Sequence, residues 1–230
     1  MQLFWTPASP FTRKVSITAM ELGLWERIEI RPTTWPLDWG YATVPFTEGL
    51  AEANPVAQIP TLVTDDGVSL GNSTLICQYL NEQARGASGA MVIPNDDTKW
   101  AVWSLYAIAD GILEAQVGMR AEQLRPDDLV SGGYLQKQRD RIERCFDAME
   151  ARADELTITD AAIPNLAQIT AAIACGYRIG ANGWAISGQD ARAWPHGMRP
   201  SRNARVSGIP SRTTPRRVKP PFKSVVKKRF

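Results

Sequence analysis

The stretch TPASPFTRKV, Thr6 to Val15, sets Ser9 and Pro10 directly in front of an amphipathic run and just behind a short apolar segment, Gln2 to Trp5. Serine caps helix N-termini and proline suits the first helical position, so a helix is expected to start here, with the apolar segment before it as a strand. Phe11, Val15, Ala19 and Leu22 recur on one face of that helix, and Gly23 stops it. Arg27 to Arg31 then alternates Ile28 and Ile30 with charged residues. That pattern predicts a second strand, parallel to the first and reached through the helix as a βαβ unit.

Outward from this unit, RPTTWPLDWGYATVPF has no periodicity and reads as a loop, and TEGLAEANP supplies a short helix. Thr61 to Thr64 and Val68 to Leu70 flank Asp65-Asp66-Gly67, the signature of an antiparallel hairpin. Asn72 or Ser73 then caps a helix carrying Leu75, Ile76, Tyr79 and Leu80, which closes a βαβ-ββα unit of about 80 residues. Beyond the linker RGASGAMVIPNDD the pattern becomes all-helical. Lys99 to Leu124 is apolar at Trp100, Trp103, Ala107 and Gly111 and ends at Arg125-Pro126. Leu135, Ile142, Phe146, Met149 and Ala153 mark a second long helix. Leu166 to Tyr177 marks a third, capped by Asn165 with Gln168 completing a capping box. The expected fold class is α/β followed by all-α: residues 1–81 as one domain, 95–177 as a helical bundle, and 178–230 as a disordered tail.

Bulk properties exclude several classes of function. Of 230 residues, 44% are apolar, enough for a real core. No apolar run reaches the roughly 18 residues of a membrane span, and MQLFWTPASP lacks the features of a leader, so no membrane is involved and a cytoplasmic address is expected. Cys77, Cys145 and Cys175 are odd in number and far apart, which argues for reduced, buried thiols and against a disulfide framework or a metal site. Net charge is uneven. Residues 178–230 hold 13 Lys and Arg against Asp190 alone, a charge of +12, while the first 177 residues hold 13 bases and 23 acids, a charge of −10.

SPFTRKV (Ser9 to Val15), NPVAQIPTLV (Asn54 to Val63), NSTLICQYL (Asn72 to Leu80) and ADGILEAQVGMRAEQLRP (Ala109 to Pro126) together resemble the bacterial, serine-type glutathione S-transferases, whose first half is thioredoxin-like. Ser9-Pro10-Phe11-Thr12 occupies the place where redox relatives of that fold carry Cys-x-x-Cys. With both cysteines absent, sulfur chemistry must use a thiol brought by the ligand, and the resemblance implies glutathione. A free thiol with a pKa of about 8.5 is only a few per cent thiolate at neutral pH. A hydroxyl donor at Ser9 and the positive end of the helix behind it would stabilise the thiolate, and lowering the pKa by roughly 2 units takes about 2.7 kcal/mol. Thr6 in the same loop is the alternative hydroxyl. Without the family, Ser9 reads as a plain N-cap.

The resemblance further implies a cis Ile59-Pro60 bond, with the Ile59 backbone pairing to the tripeptide, and a γ-glutamyl site at Asn72-Ser73. Family members usually carry an acid before that serine; Asn72 has no charge for the ligand's ammonium. Phe11, Tyr106 and Arg120 are the candidate residues for the electrophile, beside Met119, and a homodimer is implied. Arg13 and Lys14 read as solvated helix charges and Cys77 as a small core residue. The reaction implied is attack of the thiolate on a small electrophile, with no metal.

After Tyr177 the resemblance stops. The family would continue with another helix, whereas residues 178–230 lack a helical period and contain six prolines. Read one nucleotide earlier with GC-rich codons, Arg192 to Ile209 can spell the family's ending, so a shifted frame beginning near Tyr177 is one account of the tail. His196 lies there without any ligand cluster. Two further readings stay open: a binding protein of the same shape without turnover, and a nucleic-acid binder acting through the basic tail, which sparse aromatics make the weaker of the two.

Overall fold

The computed structural model describes residues 1–33, 47–158 and 163–177. Strands β1 (Gln2–Trp5), β2 (Glu29–Pro32), β3 (Thr61–Val63) and β4 (Ser69–Leu70) form one sheet in the order β2-β1-β3-β4. β1 pairs with β2 in parallel, Leu3 opposite Ile30, and with β3 antiparallel, Phe4 opposite Thr61. β3 and β4 form the expected hairpin, with Leu62 opposite Leu70 and Gly67 at φ +84° in the turn. That backbone region is one a side chain disfavours, which is why the turn carries glycine. The helix between β1 and β2 is α1 (Pro10–Glu21), and the hairpin leads into α3 (Ser73–Ala87) after the single turn α2 (Leu50–Ala53). α1 and α3 pack on each other.

The helical remainder is α4 (Lys99–Glu122), α5 (Gly132–Glu150) and α6 (Leu166–Gly176), with short 3-10 turns at Trp25–Arg27, Asp127–Leu129 and Ala153–Leu156. α4 packs against both α5 and α6, and α6 reaches α1. One continuous core runs from Leu3, Val15 and Leu62 of the sheet region through Ile76 and Leu80 to Leu113, Met119 and Ile169. Asn165 caps α6 and Gln168 returns the bond, the expected capping box. The tail, with the reading frame proposed for it and His196, and residues 34–46 of the loop lie outside the described residues.

Several packing expectations need correction. Trp100 is 74% exposed and Ala107 is also exposed. The buried stripe of α4 runs instead through Leu105, Ala109, Ile112, Gln116 and Met119. Apolar residues occur on every side of this helix, so period alone does not choose the face; contact with two neighbouring helices does. Leu75 is exposed while Ile76 and Leu80 are buried. Ala153 falls just past α5 in a 3-10 turn, where Leu156 is the fully buried residue. Of the three free cysteines only Cys77 is fully buried; Cys145 and Cys175 are half-buried.

Two buried asparagines fix the connections that propensity does not. Asn81 of α3 accepts from the amides of Val92 (2.8 Å) and Ile93 (2.9 Å), which docks the linker leading to α4. Asn54 donates to Thr61 Oγ1 (2.9 Å), accepts from the Val56 amide (3.1 Å), and lies flat against Gly71. A Cβ at position 71 would sit 2.8 Å from the Asn54 amide nitrogen. Gly71→Ala therefore has to displace a buried, hydrogen-bonded side chain. It is expected to lower the unfolding free energy by about 1–3 kcal/mol, read as a lower urea midpoint at unchanged slope. An unaltered midpoint would mean that this contact is not tight.

Candidate functional site

Strand directions decide which loops meet. β1 ends at Trp5, β3 begins at Thr61 opposite Phe4, and β4, antiparallel to β3, ends at Leu70 opposite Leu62. The segment after β1, the segment before β3 and the segment after β4 therefore leave the sheet at one end. These are Thr6–Ser9, Gln58–Pro60 and Gly71–Ser73, which carry Ser9, Ile59, Pro60, Asn72 and Ser73.

Ser9 is the N-cap of α1, with extended backbone (φ −83°, ψ 126°). Its Oγ accepts from the Thr12 amide at 3.2 Å, and its own amide donates to the Thr6 carbonyl at 3.4 Å. Pro10 stands at the first helical position, as its missing N–H requires. The side chain of Ser9 is half-buried, and among the described residues nothing accepts its hydroxyl hydrogen. Thr12, at the second cysteine position of the redox motif, is fully buried. Of those two positions only Ser9 opens outward. Thr6 is half-buried beside it.

The Ile59-Pro60 bond is cis, as the resemblance implied. Pro60 is buried and Ile59 half-buried. Asn72 is the N-cap of α3: its Oδ1 accepts from the amides of Thr74 (2.8 Å) and Leu75 (3.3 Å). That leaves the Ser73 amide, at the first helical position, without an acceptor among the described residues, and an amide so placed at a helix N-terminus suits an anion. Ser73 itself is 7% exposed.

Lys14 is the main surprise. Instead of a solvated helix charge, it is fully buried, its side chain reaching Tyr106 and Asp110 of α4. Its ammonium donates to Asp110 Oδ1 and to the Tyr106 hydroxyl, both at 2.7 Å, and lies over the Tyr106 and Phe11 rings at 4.8 and 5.5 Å. Burial, and then the Asp110 charge, hold the Tyr106 hydroxyl far above its ordinary pKa, so it keeps its proton. Tyr106 is 5% exposed and reaches Thr74 Oγ1 at 2.5 Å. Met119 is buried in the bundle, while Phe11 and Arg120 are half-buried. A lysine three residues from Phe11 and from Ile17 looks like an ordinary helix charge; its carboxylate comes from a helix 96 positions on.

Two of the chain's own thiols are poorly suited to reaction. Burial pushes Cys77 and Cys175 up to about 11, so both stay protonated at neutral pH. Among the described residues no cluster of His, Cys, Asp and Glu could hold a metal, and no helix is long and apolar enough to cross a membrane.

Comparison with known proteins bears on the family. The family described as glutathione S-transferase, N-terminal domain, matches residues 3–88. The uncharacterized GST-like protein YibF of Escherichia coli K12 is 32% identical over 190 residues, 81% of this chain and 87% of that protein. A glutathione transferase family member from Pseudomonas fluorescens Pf-5, crystallised with glutathione, is 34% identical over 76% of this chain and 81% of its own, with a TM-score of 0.66. A glutathione S-transferase from Methylobacillus flagellatus KT, also with glutathione bound, is 28% identical over 76% of this chain and 81% of its own, at a TM-score of 0.64. A thioredoxin-like first half of mixed sheet and helix, a helical second half and relatives of this identity and coverage lead to one conclusion: the chain belongs to the glutathione S-transferase family.

Proposed function

We propose that this chain is a glutathione transferase that binds glutathione across the three converging segments and delivers its thiolate to a small electrophile. The observation that carries the reading is Ser9: its Oγ is already committed as acceptor to the Thr12 amide, so its hydroxyl has one hydrogen left to give. Cap and thiolate donor are then one arrangement. Accepting from the helix orients the hydroxyl, and the amides of the first turn of α1 add their partial positive charge. Ser9 need not ionise. Thr6 is the alternative donor.

In this reading Ile59 pairs its backbone with the extended tripeptide ahead of Pro60, and the Ser73 amide takes the γ-glutamyl carboxylate. Asn72 supplies the cap but no charge for the ammonium. Residues 1–81 form the glutathione domain and 95–177 the helical domain that presents Phe11's neighbours and Arg120 to the electrophile. A cytoplasmic homodimer fits the exposed apolar side chains of Val56, Leu75 and Trp100. The glutathione-bound relatives support the ligand; their names do not extend to the electrophile.

Ser9→Ala removes the donor and keeps the fold. Wild-type turnover of a chromogenic electrophile is expected to rise with pH through a bound-thiol pKa roughly 2 units below about 8.5, because the thiolate is present above that pKa and lost below it. In Ser9→Ala the midpoint moves up toward about 8.5 while glutathione binding by calorimetry changes little. Turnover with an unmoved midpoint transfers the role to Thr6, and binding with no turnover in the wild type leaves a binding protein of this shape. Asn72→Asp keeps a capping side chain and adds the missing charge, so glutathione affinity should rise by about tenfold. An unchanged affinity would place the ammonium elsewhere.

A further inference from the structure

The Asn54 side chain touches two of the three segments that meet at the candidate site. Its Oδ1 accepts from the Val56 amide at 3.1 Å, and because that amide can only donate, the NH2 end of the group faces the other way. There Nδ2 donates to Thr61 Oγ1 at 2.9 Å and to the Gln58 carbonyl at 3.4 Å. Thr61 Oγ1 in turn gives its own hydrogen to the same Gln58 carbonyl at 2.7 Å. A carbonyl only accepts, so every direction in this ring of bonds is set. Asn54 is 6% exposed and Thr61 is fully buried, which shields the ring from water.

The Gln58 carbonyl matters because of what lies at the other end of its peptide unit. The Gln58-Ile59 bond is trans and planar, so the Ile59 N–H points opposite to that oxygen. Two donors that pin the oxygen therefore aim the amide, and among the described residues nothing accepts its hydrogen. The turn delivering Gln58 is strained: Ala57 sits at φ +52° without being glycine, and its amide closes the turn on the Asn54 carbonyl at 2.7 Å. Such a conformation persists where its surroundings over-determine it. Asn54 also meets the segment after β4, where its Nδ2, Cγ and Oδ1 lie 2.8, 3.0 and 3.0 Å from the place of a Cβ on Gly71. Gly71 stands two residues before Ser73, so one side chain spaces the Ile59 amide from the start of α3.

We propose that Asn54, braced by Thr61, is a positioning residue that sets the span between the Ile59 backbone and the Ser73 amide, and thereby selects the length of the γ-linked acyl arm of the peptide bound across them. The proposal rests on the glutathione reading above, in which the cysteinyl backbone pairs with Ile59 and the γ-glutamyl carboxylate meets Ser73. Those two anchor points then lie on either side of a side chain of fixed length that does not itself touch the ligand. A peptide matched to the span makes both sets of bonds at once, and one that is a methylene longer has to buckle or give up an anchor. Without the spacer, the frame accepts either length at lower affinity.

The test is calorimetric titration of the full chain with reduced glutathione and, in parallel, with δ-(α-aminoadipyl)-Cys-Gly, the same tripeptide with one more methylene in its acidic arm. The wild type is expected to favour glutathione about tenfold. Asn54→Ala should lose about tenfold in glutathione affinity and much less for the longer peptide, so that the preference falls toward one. Thr61→Val removes the brace and should cut the preference about threefold, while Thr61→Ser, which keeps the hydroxyl, should retain it. These two milder variants decide the matter if Asn54→Ala does not fold. Four results overturn the spacer and leave the glutathione site standing: a wild type that binds both peptides alike, folded variants that lose both peptides equally, folded variants that keep the wild-type preference, and a Thr61→Ser protein that behaves as Thr61→Val does. A folded wild type that binds neither peptide overturns the glutathione reading, and the spacer with it.

Discussion

Lys14 has no route to water, and the surrounding structure has to supply what hydration would have given it. A lone buried ammonium costs several kcal/mol, and the compensation here is assembled from separate parts of the chain: a carboxylate and a phenol from α4, and aromatic faces from both α1 and α4. Any slide of α1 along α4 would break both 2.7 Å bonds at once, so the thioredoxin-like half and the helical half have one permitted register. Apolar packing between the halves, where α1 meets α6, specifies register more loosely, because leucine and alanine tolerate small shifts that a charged pair does not. The pair is thus better understood as a locator than as a source of net stability.

That division explains which parts of the structure were legible in the sequence. The βαβ-ββα order was, because each element carries its own local signal: Ser9-Pro10 at a helix start, Asp66-Gly67 at a turn, alternation at Ile28 and Ile30. The capping box at Asn165 and Gln168 was legible for the same reason. Lys14 was not, since its meaning lies in a residue on another helix, and nothing within a helical period of it is acidic. The buried face of α4 failed similarly: apolar residues surround it, and only the positions of α5 and α6 turn Leu105 and Ile112 inward and leave Trp100 in solvent. Asn54 and Asn81 belong to this class too, polar residues that read as loop or helix surface until the backbone they hold is known.

For the site, residue types were legible and their geometry was not. The strand directions alone carry Ser9, Ile59 and Ser73 to one end of the sheet, and that follows from a hairpin placed after a βαβ unit. Whether the serine was a cap or a chemical group had looked like a choice between two accounts. The geometry removes the opposition, because a hydroxyl has both an acceptor and a donor side: the Thr12 amide occupies the first and thereby aims the second. A cap is a good place to keep a donor that must act on an anion.

The same economy recurs at α3 with different chemistry. Asn72 spends its carbonyl oxygen on the amides of Thr74 and Leu75, leaving the Ser73 amide without an acceptor among the described residues. An acid at 72 would hold an ammonium as well, and asparagine keeps only the capping half of that task. In the proposed reading, binding at this end leans on neutral donors at a helix N-terminus, whose strength depends on orientation far more than a formal charge does.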